Sequence, residues 1–142
     1  DNDQFVFVTA MVGRLSLQTG AVAIGEAGHC PVMAVAPEGG GGMPAVPKCM
    51  ALGVVPDTPY ADGRIDLLPG ETLVLHTDGA TDARDRDGEL FGFDRLTRAV
   101  EQGIGKSARE IVAGISQVVD AFADGAPPQD DLTLLAVTYL KE

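Results

Sequence analysis

Two short acidic segments of the 142-residue sequence carry the residue types that bind divalent cations. Asp78 directly follows one apolar run, and Asp130 and Asp131 directly precede the last apolar run of the chain. A carboxylate at the end of a buried strand is held on a rigid element and still reaches solvent, which suits a hard cation. If the two strands are neighbours, Asp78 and Asp130 converge on one site. A bound Mg²⁺ or Mn²⁺ would then offset their mutual repulsion.

The same residues have a plainer interpretation, because Asp-Gly is a common turn and consecutive Asp residues are common in solvated loops. Spacing alone therefore leaves a metal site and a surface loop both open. The acidic stretch 82–89 does not fit a calcium-binding loop, because Ala83 would occupy the first ligand position of an EF-hand. We predict that this stretch is a surface loop.

The histidines and cysteines complete no familiar catalytic pattern. His29 and His76 occur in no Ser-His-Asp order, so a hydrolase triad is unsupported. His29 follows a predicted strand and is a weak candidate for the site, whereas His76 is predicted to face outward from an alternating strand. Cys30 and Cys49 do not have Cys-x-x-Cys spacing. We expect both thiols to be reduced and buried, with a single disulfide as the alternative.

The composition excludes some classes of partner. Acidic residues outnumber Lys and Arg by 21 to 10, which gives a formal net charge of −11. Nucleic acids and anionic membrane surfaces attract clustered Lys and Arg, so we expect neither partner. No apolar run approaches the roughly 20 residues that span a bilayer, and a cytoplasmic location is expected. The chain does not begin with Met, so we expect it to belong to something longer.

Hydrophobic patterning predicts an α+β domain in which an antiparallel sheet carries two late helices on one side. The first helix is predicted to run from Asp94, as its N-cap, to Gln102, and the second to open with a capping box of Ser107 and Glu110. The four-glycine run 39–42 is predicted to be a mobile loop. The strands are expected mostly in hairpin order, at 5–12, 21–24, 31–36, 64–68, 72–76 and 132–140.

Six short motifs occur in the order typical of SpoIIE-type phosphatases, a branch of the metal-dependent PPM class related to type two C protein phosphatases. The segment 5–9 also resembles the family strand that precedes the first of them. The sequence is similar to this family over essentially its whole length, as one domain at residues 1–142. The motifs are Ala27-Gly28-His29, Leu52-Gly53, Leu68-Pro69-Gly70-Glu71, Thr77-Asp78-Gly79, Phe91-Gly92 and Asp130-Asp131-Leu132-Thr133.

The resemblance implies an antiparallel β-sandwich flanked by helices, with a two-metal Mn²⁺ or Mg²⁺ site at one end. In this family a water activated by the metals attacks phosphoserine or phosphothreonine without a covalent enzyme intermediate. Asp78 and Asp130 would be metal ligands, and Asp131 would be the alternative ligand or would support it. Gly79 would permit the tight turn that presents Asp78. The implied substrate is a phosphorylated regulatory protein, such as an anti-sigma-factor antagonist, in bacterial signalling.

The sequence departs from the family pattern at the first metal motif, an Asp shortly followed by Gly-His-Gly. The family places this motif upstream of Phe5, with early strands and two helices that cover one face. We therefore expect an N-terminally incomplete phosphatase domain that is inactive alone, with apolar surface that a homodimer could cover. A pseudophosphatase or another protein-binding module is the alternative. Smaller departures are His76 and Asp82, where the family often has Tyr and Glu.

Overall fold

The fold is known from a computed structural model, which describes residues 6–141. These residues form seven strands and two helices, and the helices lie between the sixth and seventh strands. In chain order the elements are β1 (Ala10–Leu15), β2 (Ala21–Ala27), β3 (Met33–Val35), β4 (Gly41–Gly42), β5 (Asp62–Asp66), β6 (Thr72–His76), α1 (Gly92–Glu101), α2 (Ala108–Ala123) and β7 (Leu134–Thr138).

The strands form two antiparallel sheets rather than one. The first sheet has the order β1-β2-β5, and the second has the order β4-β3-β6-β7. The hairpin of β1 and β2 is confirmed, with Ala10 opposite Ala27 and Leu15 opposite Val22. The expected hairpin order is wrong for β5 and β6, because β5 pairs with β2 while β6 pairs with β3 and β7. The chain crosses from one sheet to the other between these two strands.

Strand β6 is buried on both faces and so joins the two halves of the core. Val74 packs in the cluster that includes Leu96 and Ile115 of the helices. Leu73 points to the opposite face and packs with residues of the first sheet, such as Ile24. The layers are therefore sheet, sheet and helices, because successive side chains of a strand face opposite sides. This confirms the α+β class and the antiparallel β-sandwich that the family resemblance implies, whereas the hydrophobic pattern alone had predicted a single sheet.

The first strand begins later than its apolar sequence predicts. Val6, Phe7 and Val8 are 60%, 60% and 55% exposed and lie outside β1. Val8 forms only an isolated bridge with Leu52. Phe5, where the predicted strand began, lies outside the described residues. The strand begins at Ala10 because that is where regular pairing with β2 begins.

Two other predicted boundaries were also wrong. Half of the four-glycine run is not a loop, since Gly41 and Gly42 pair with β3 as a short edge strand. A side chain at Gly41 would meet the carbonyl oxygen of Ala34 at 2.5 Å, so glycine permits this close pairing. The last strand is shorter than the predicted 132–140, because its ladder with β6 extends only from Leu134 to Thr138.

The two helices begin in different ways. Helix α1 begins at Gly92, and its N-cap residue Phe91 provides no side-chain hydrogen bond. The prediction of Asp94 as N-cap was wrong, because Asp94 lies inside the first turn. The capping box of α2 is confirmed, since the Ser107 hydroxyl accepts from the Glu110 N–H and the Glu110 carboxylate accepts from the Ser107 N–H at 2.9 Å. Within residues 6–141, neither helix is long and apolar enough to cross a bilayer.

Replacing Ser107 with Ala should lower the free energy of unfolding by about 1 kcal/mol, because α2 loses its N-cap acceptor. Hydrogen bonds from the Ser107 hydroxyl and backbone N–H lower the pKa of Glu110. This interaction therefore stabilises the fold above the unfolded-state pKa of about 4.3, and its contribution is lost as the pH falls through the lower folded-state pKa. Urea denaturation should show a larger difference between wild type and variant at neutral pH than at about pH 3. An equal difference at both would contradict the role of Glu110.

Candidate metal site

The two acidic segments lie at the same end of the second sheet. Strands β6 and β7 are antiparallel neighbours, and their ladder ends with His76 opposite Leu134. Asp78 lies just beyond the end of β6, and Asp131 lies just before the start of β7. The condition on which a shared site depends, that the two strands are neighbours, is therefore met, and the loops at 77–82 and 130–133 leave the sheet side by side.

The backbones of the two loops are in direct contact at Gly79, which is buried. A Cβ atom at Gly79 would lie 2.4 Å from the carbonyl oxygen of Asp131 and 2.8 Å from its carbonyl carbon. Gly79 does not have a positive φ. Glycine is needed here for close approach. It also lies in the turn that the resemblance implied, because the Ala80 N–H donates to the carbonyl oxygen of Thr77 at 3.2 Å.

The main chain around Asp78 is fixed by its own loop. The carbonyl oxygen of Asp78 accepts hydrogen bonds from the Asp82 N–H at 2.8 Å and from the Thr81 hydroxyl at 3.1 Å. In the facing loop, one carboxylate oxygen of Asp130 accepts from the Asp131 N–H at 2.7 Å. Both ends of the candidate site are thus held by local hydrogen bonds.

The carboxylates of Asp78, Asp130 and Asp131 are exposed. The ion pairs found within residues 6–141 involve other acidic residues. Carboxylate oxygens that are not engaged in an ion pair are free to bind a hard cation such as Mg²⁺ or Mn²⁺. In the described part of the chain, however, no three His, Cys, Asp or Glu side chains are grouped so that they could hold a metal ion. The donor chemistry therefore fits a hard cation, and the described ligands alone do not complete its coordination.

The hydrogen bonds of His29 involve residues outside the two acidic loops, and its role at the candidate site stays a prediction. Its ring Nδ1 is 3.2 Å from the Thr9 hydroxyl. Its backbone N–H donates to Oε1 of Glu26 at 2.6 Å, and Oε2 of the same carboxylate accepts from the Cys49 N–H at 2.8 Å. Glu26 is only 7% exposed. This buried carboxylate therefore ties the loop after β2 to the segment around Cys49.

The replacement Glu26→Gln should lower the free energy of unfolding by about 1.5 kcal/mol, because one backbone N–H then faces an amide NH₂ that cannot accept. Hydrogen exchange followed by NMR should show faster exchange of the Cys49 or the His29 amide. The amide of Val74 in the core strand β6 reports the loss of global stability, so the local effect is the acceleration at Cys49 or His29 beyond that at Val74. Unchanged exchange at both Cys49 and His29 would contradict the role assigned to this carboxylate.

Comparison with known proteins identifies the family. The family model described as stage II sporulation protein E (SpoIIE) matches residues 1–140. The chain belongs to the SpoIIE family. Protein IcfG of Synechocystis sp. is 31% identical over 137 residues, which cover 95% of this chain and 21% of IcfG. The resemblance inferred from the ordered motifs is therefore confirmed, and this SpoIIE domain corresponds to about a fifth of that relative's length.

Solved structures confirm the fold. The SiaA-PP2C domain of Pseudomonas aeruginosa matches with a TM-score of 0.72 at 21% identity, covering 85% of this chain and 47% of that one. The RsbU and RsbW domains of a Mycobacterium tuberculosis protein match with a TM-score of 0.71 at 23% identity, covering 94% and 36%. The PP2C phosphatase domain with a regulatory fragment of SpoIIE from Bacillus subtilis matches with a TM-score of 0.73 at 17% identity, covering 94% and 39%. The SpoIIE domain thus spans less than half of each of these structures.

Cys30 is a neighbour of the acidic loop that the sequence analysis missed. Burial raises the pKa of its thiol, and the negative charges of Asp78 and Asp82 raise the pKa further. Cys30 and Cys49 are both free, as expected, although each is only partly buried. Cys30 follows the Ala-Gly-His motif directly, but nothing in the local pattern indicates which distant residues this motif approaches.

His76 is buried, so the prediction that it faces outward was wrong. It is 3% exposed, and its ring centroid lies 6.3 Å from that of Phe93 in α1. Its Nδ1 is 3.0 Å from the carbonyl oxygen of Thr77. A carbonyl oxygen can only accept, so Nδ1 carries the proton in this contact. Alternation along β6 places His76 on the same face as Val74, which packs against the helices.

Proposed function

We propose that the full-length protein hydrolyses phosphoserine or phosphothreonine on a regulatory protein, with Mn²⁺ or Mg²⁺ held in part by Asp78 and Asp130. The observation that carries this proposal is the direct contact between the two acidic loops in a chain of the SpoIIE family. A bound cation would polarise the phosphoryl group and lower the pKa of the attacking water.

The residues of this chain contribute position and charge. Asp78 and Asp130 would supply carboxylate oxygens, with Asp131 as the alternative ligand one residue along. Because the loops extend from paired strands, these oxygens would be held in place before a cation arrives. The described carboxylates do not complete a metal site. We propose that a segment of the full-length protein outside residues 1–142 supplies the Asp of the first metal motif.

The proposed substrate class is a phosphorylated anti-sigma-factor antagonist or a protein of similar type, in a cytoplasmic signalling pathway. Family membership supports this class. The formal net charge of −11 disfavours nucleic acid as a partner. A folded protein substrate also fits a site at the exposed end of a sheet, because a phosphorylated surface residue can reach it without entering a deep cavity.

Phosphate release by the full-length protein tests this function. The substrate is a phosphoserine-containing protein, and the assay compares added Mn²⁺ with excess chelator. We expect release only with the metal ion, and no release by the 142-residue chain alone. Metal-independent release, or no release from any phosphoserine or phosphothreonine substrate, would contradict the proposal.

A pseudophosphatase is the second candidate, and the incomplete grouping of metal-binding side chains within residues 6–141 favours it. Such a protein would bind its phosphorylated partner and release no phosphate. Its binding would be insensitive to a chelator, because no cation would take part. Chelator-resistant binding without turnover by the full-length protein would therefore favour this candidate over the enzyme.

A further inference from the structure

Thr77 joins the two acidic loops through both its backbone and its side chain. Its backbone N–H donates to the carbonyl oxygen of Thr133 at 3.1 Å. Its hydroxyl donates to the carbonyl oxygen of Asp131 at 2.8 Å and accepts from the Thr133 N–H at 3.0 Å. The residue before Asp78 is therefore bonded to the segment that carries Asp131 at three points.

The carbonyl group of Thr77 is fixed from the other side. It accepts from the Ala80 N–H at 3.2 Å and from the Nδ1–H of the buried His76 at 3.0 Å. All the polar atoms of Thr77 thus take part in hydrogen bonds. The peptide group between Thr77 and Asp78 has little freedom to rotate, because the Thr77 side chain, backbone N–H and carbonyl oxygen are all hydrogen-bonded.

We propose that Thr77 is a positioning residue whose hydroxyl sets the distance between Asp78 and the Asp130–Asp131 segment. This inference rests on the proposed metal-dependent function. The position requires a group that donates and accepts at once, because a carbonyl oxygen faces it on one side and an N–H on the other. A hydroxyl does both, whereas a side chain of the same shape without oxygen does neither.

The expected effect is on metal binding more than on folding. In Thr77→Val the backbone bond to Thr133 remains, and so does the β6–β7 ladder, which includes the pair of His76 and Leu134. Groups that orient metal ligands typically change metal affinity by about 10- to 100-fold when they are removed. We therefore expect Thr77→Val to fold with both loops present but less well aligned.

The test compares the full-length wild type, Thr77→Val and Thr77→Ser. Mn²⁺ affinity is measured by isothermal titration calorimetry, and exchange of the Thr133 amide is measured by NMR without metal. We expect Thr77→Val to bind Mn²⁺ about 10- to 100-fold more weakly and to exchange the Thr133 amide faster. Thr77→Ser keeps the hydroxyl and should retain an affinity within about threefold of wild type. If Thr77→Val does not fold, Thr77→Ala is compared with Thr77→Ser instead.

The outcomes separate the two proposals. Wild-type Mn²⁺ affinity in the hydroxyl-free variant would overturn the positioning role and leave the proposed function standing. Equal losses in Thr77→Val and Thr77→Ser would also overturn it, because keeping the hydroxyl would then fail to preserve the affinity. A wild-type protein that binds no Mn²⁺ would overturn the metal site itself and the positioning role with it.

Discussion

Asp78→Asn is expected to reduce Mn²⁺-dependent phosphate release by the full-length protein by at least about 100-fold. The substitution replaces a charged oxygen ligand with a neutral amide of the same size. The Asp78 side chain is exposed and its carbonyl oxygen is already bonded to Asp82 and Thr81, so the fold should not change. Initial rates with a phosphoserine protein, measured across a range of Mn²⁺ concentrations, give the size of the loss.

Asp87→Asn provides a matched control. It makes the same change of charge in a neighbouring exposed turn, where the carboxylate of Asp85, not that of Asp87, accepts from the backbone N–H groups of Asp87 and Glu89. We expect Asp87→Asn to retain activity within about twofold, because it lies outside the acidic loops and surface changes of this kind have small effects. An equal loss of activity in both variants would show that the net charge of the protein, and not Asp78 itself, is responsible. Full activity in Asp78→Asn would show that Asp78 is not a metal ligand.

Gly79→Ala is expected to lower the free energy of unfolding by about 3 kcal/mol. The added carbon would lie 2.4 Å from the carbonyl oxygen of Asp131 and 3.1 Å from the backbone nitrogen of Leu132. Backbone atoms cannot move aside as a flexible side chain can, so the two acidic loops must separate. Chemical denaturation of the wild type and the variant measures the cost.

The matched control for this substitution is Gly114→Ala in helix α2. A Cβ atom at Gly114 would meet nothing within 4 Å. Alanine should therefore stabilise the helix by about 0.5 to 1 kcal/mol, because glycine is a poor helix former. The two glycine-to-alanine changes should act in opposite directions. An unchanged free energy of unfolding in Gly79→Ala would show that the two loops can separate without destabilising the fold. Their contact would then not fix the positions of Asp78 and Asp130.

Local features of the fold were predictable from the sequence. The capping box needs only Ser107 and Glu110, which are three residues apart, so its signal is contained in one turn of helix. The hairpin of β1 and β2 was also predictable from nearby residues, because the turn at 16–20 is followed at once by the returning strand. Structure that depends on a few neighbouring residues can be inferred from their types.

Pairing between distant segments was harder to infer. The residues Pro69-Gly70 predict a turn, but this signal is the same whether the chain folds back within one sheet or crosses to another. Here Leu67 still bonds to Gly20, which directly precedes β2 of the first sheet, whereas Glu71 bonds to Tyr139, which directly follows β7 of the second. The predicted start of the first strand was wrong for a related reason. Apolar residues form a regular strand only where a partner backbone is available, and here regular pairing begins at Ala10.

The place of the two acidic segments was predictable in part. The types of Asp78 and Asp130, and their positions at strand ends, indicated a shared location, and the pairing of β6 with β7 brings both segments to the same end of the sheet. The residues that hold the loops could not be inferred from the sequence, because Thr77 bonds to a segment more than fifty positions away. Glu26 did leave a signal, since it alternates with Val22 and Ile24 on the buried face of β2.

If Asp78 and Asp130 bind one cation together, their contributions to Mn²⁺ affinity are coupled. A double-mutant cycle of Asp78→Asn and Asp130→Asn in the full-length protein measures this coupling, with Asp131→Asn measured alongside. We expect each of the first two variants to weaken binding by at least about 10-fold and the double variant to be little weaker than either. Losses that simply add in the double variant, or undiminished affinity in Asp78→Asn, would show that the two acidic loops do not share an ion.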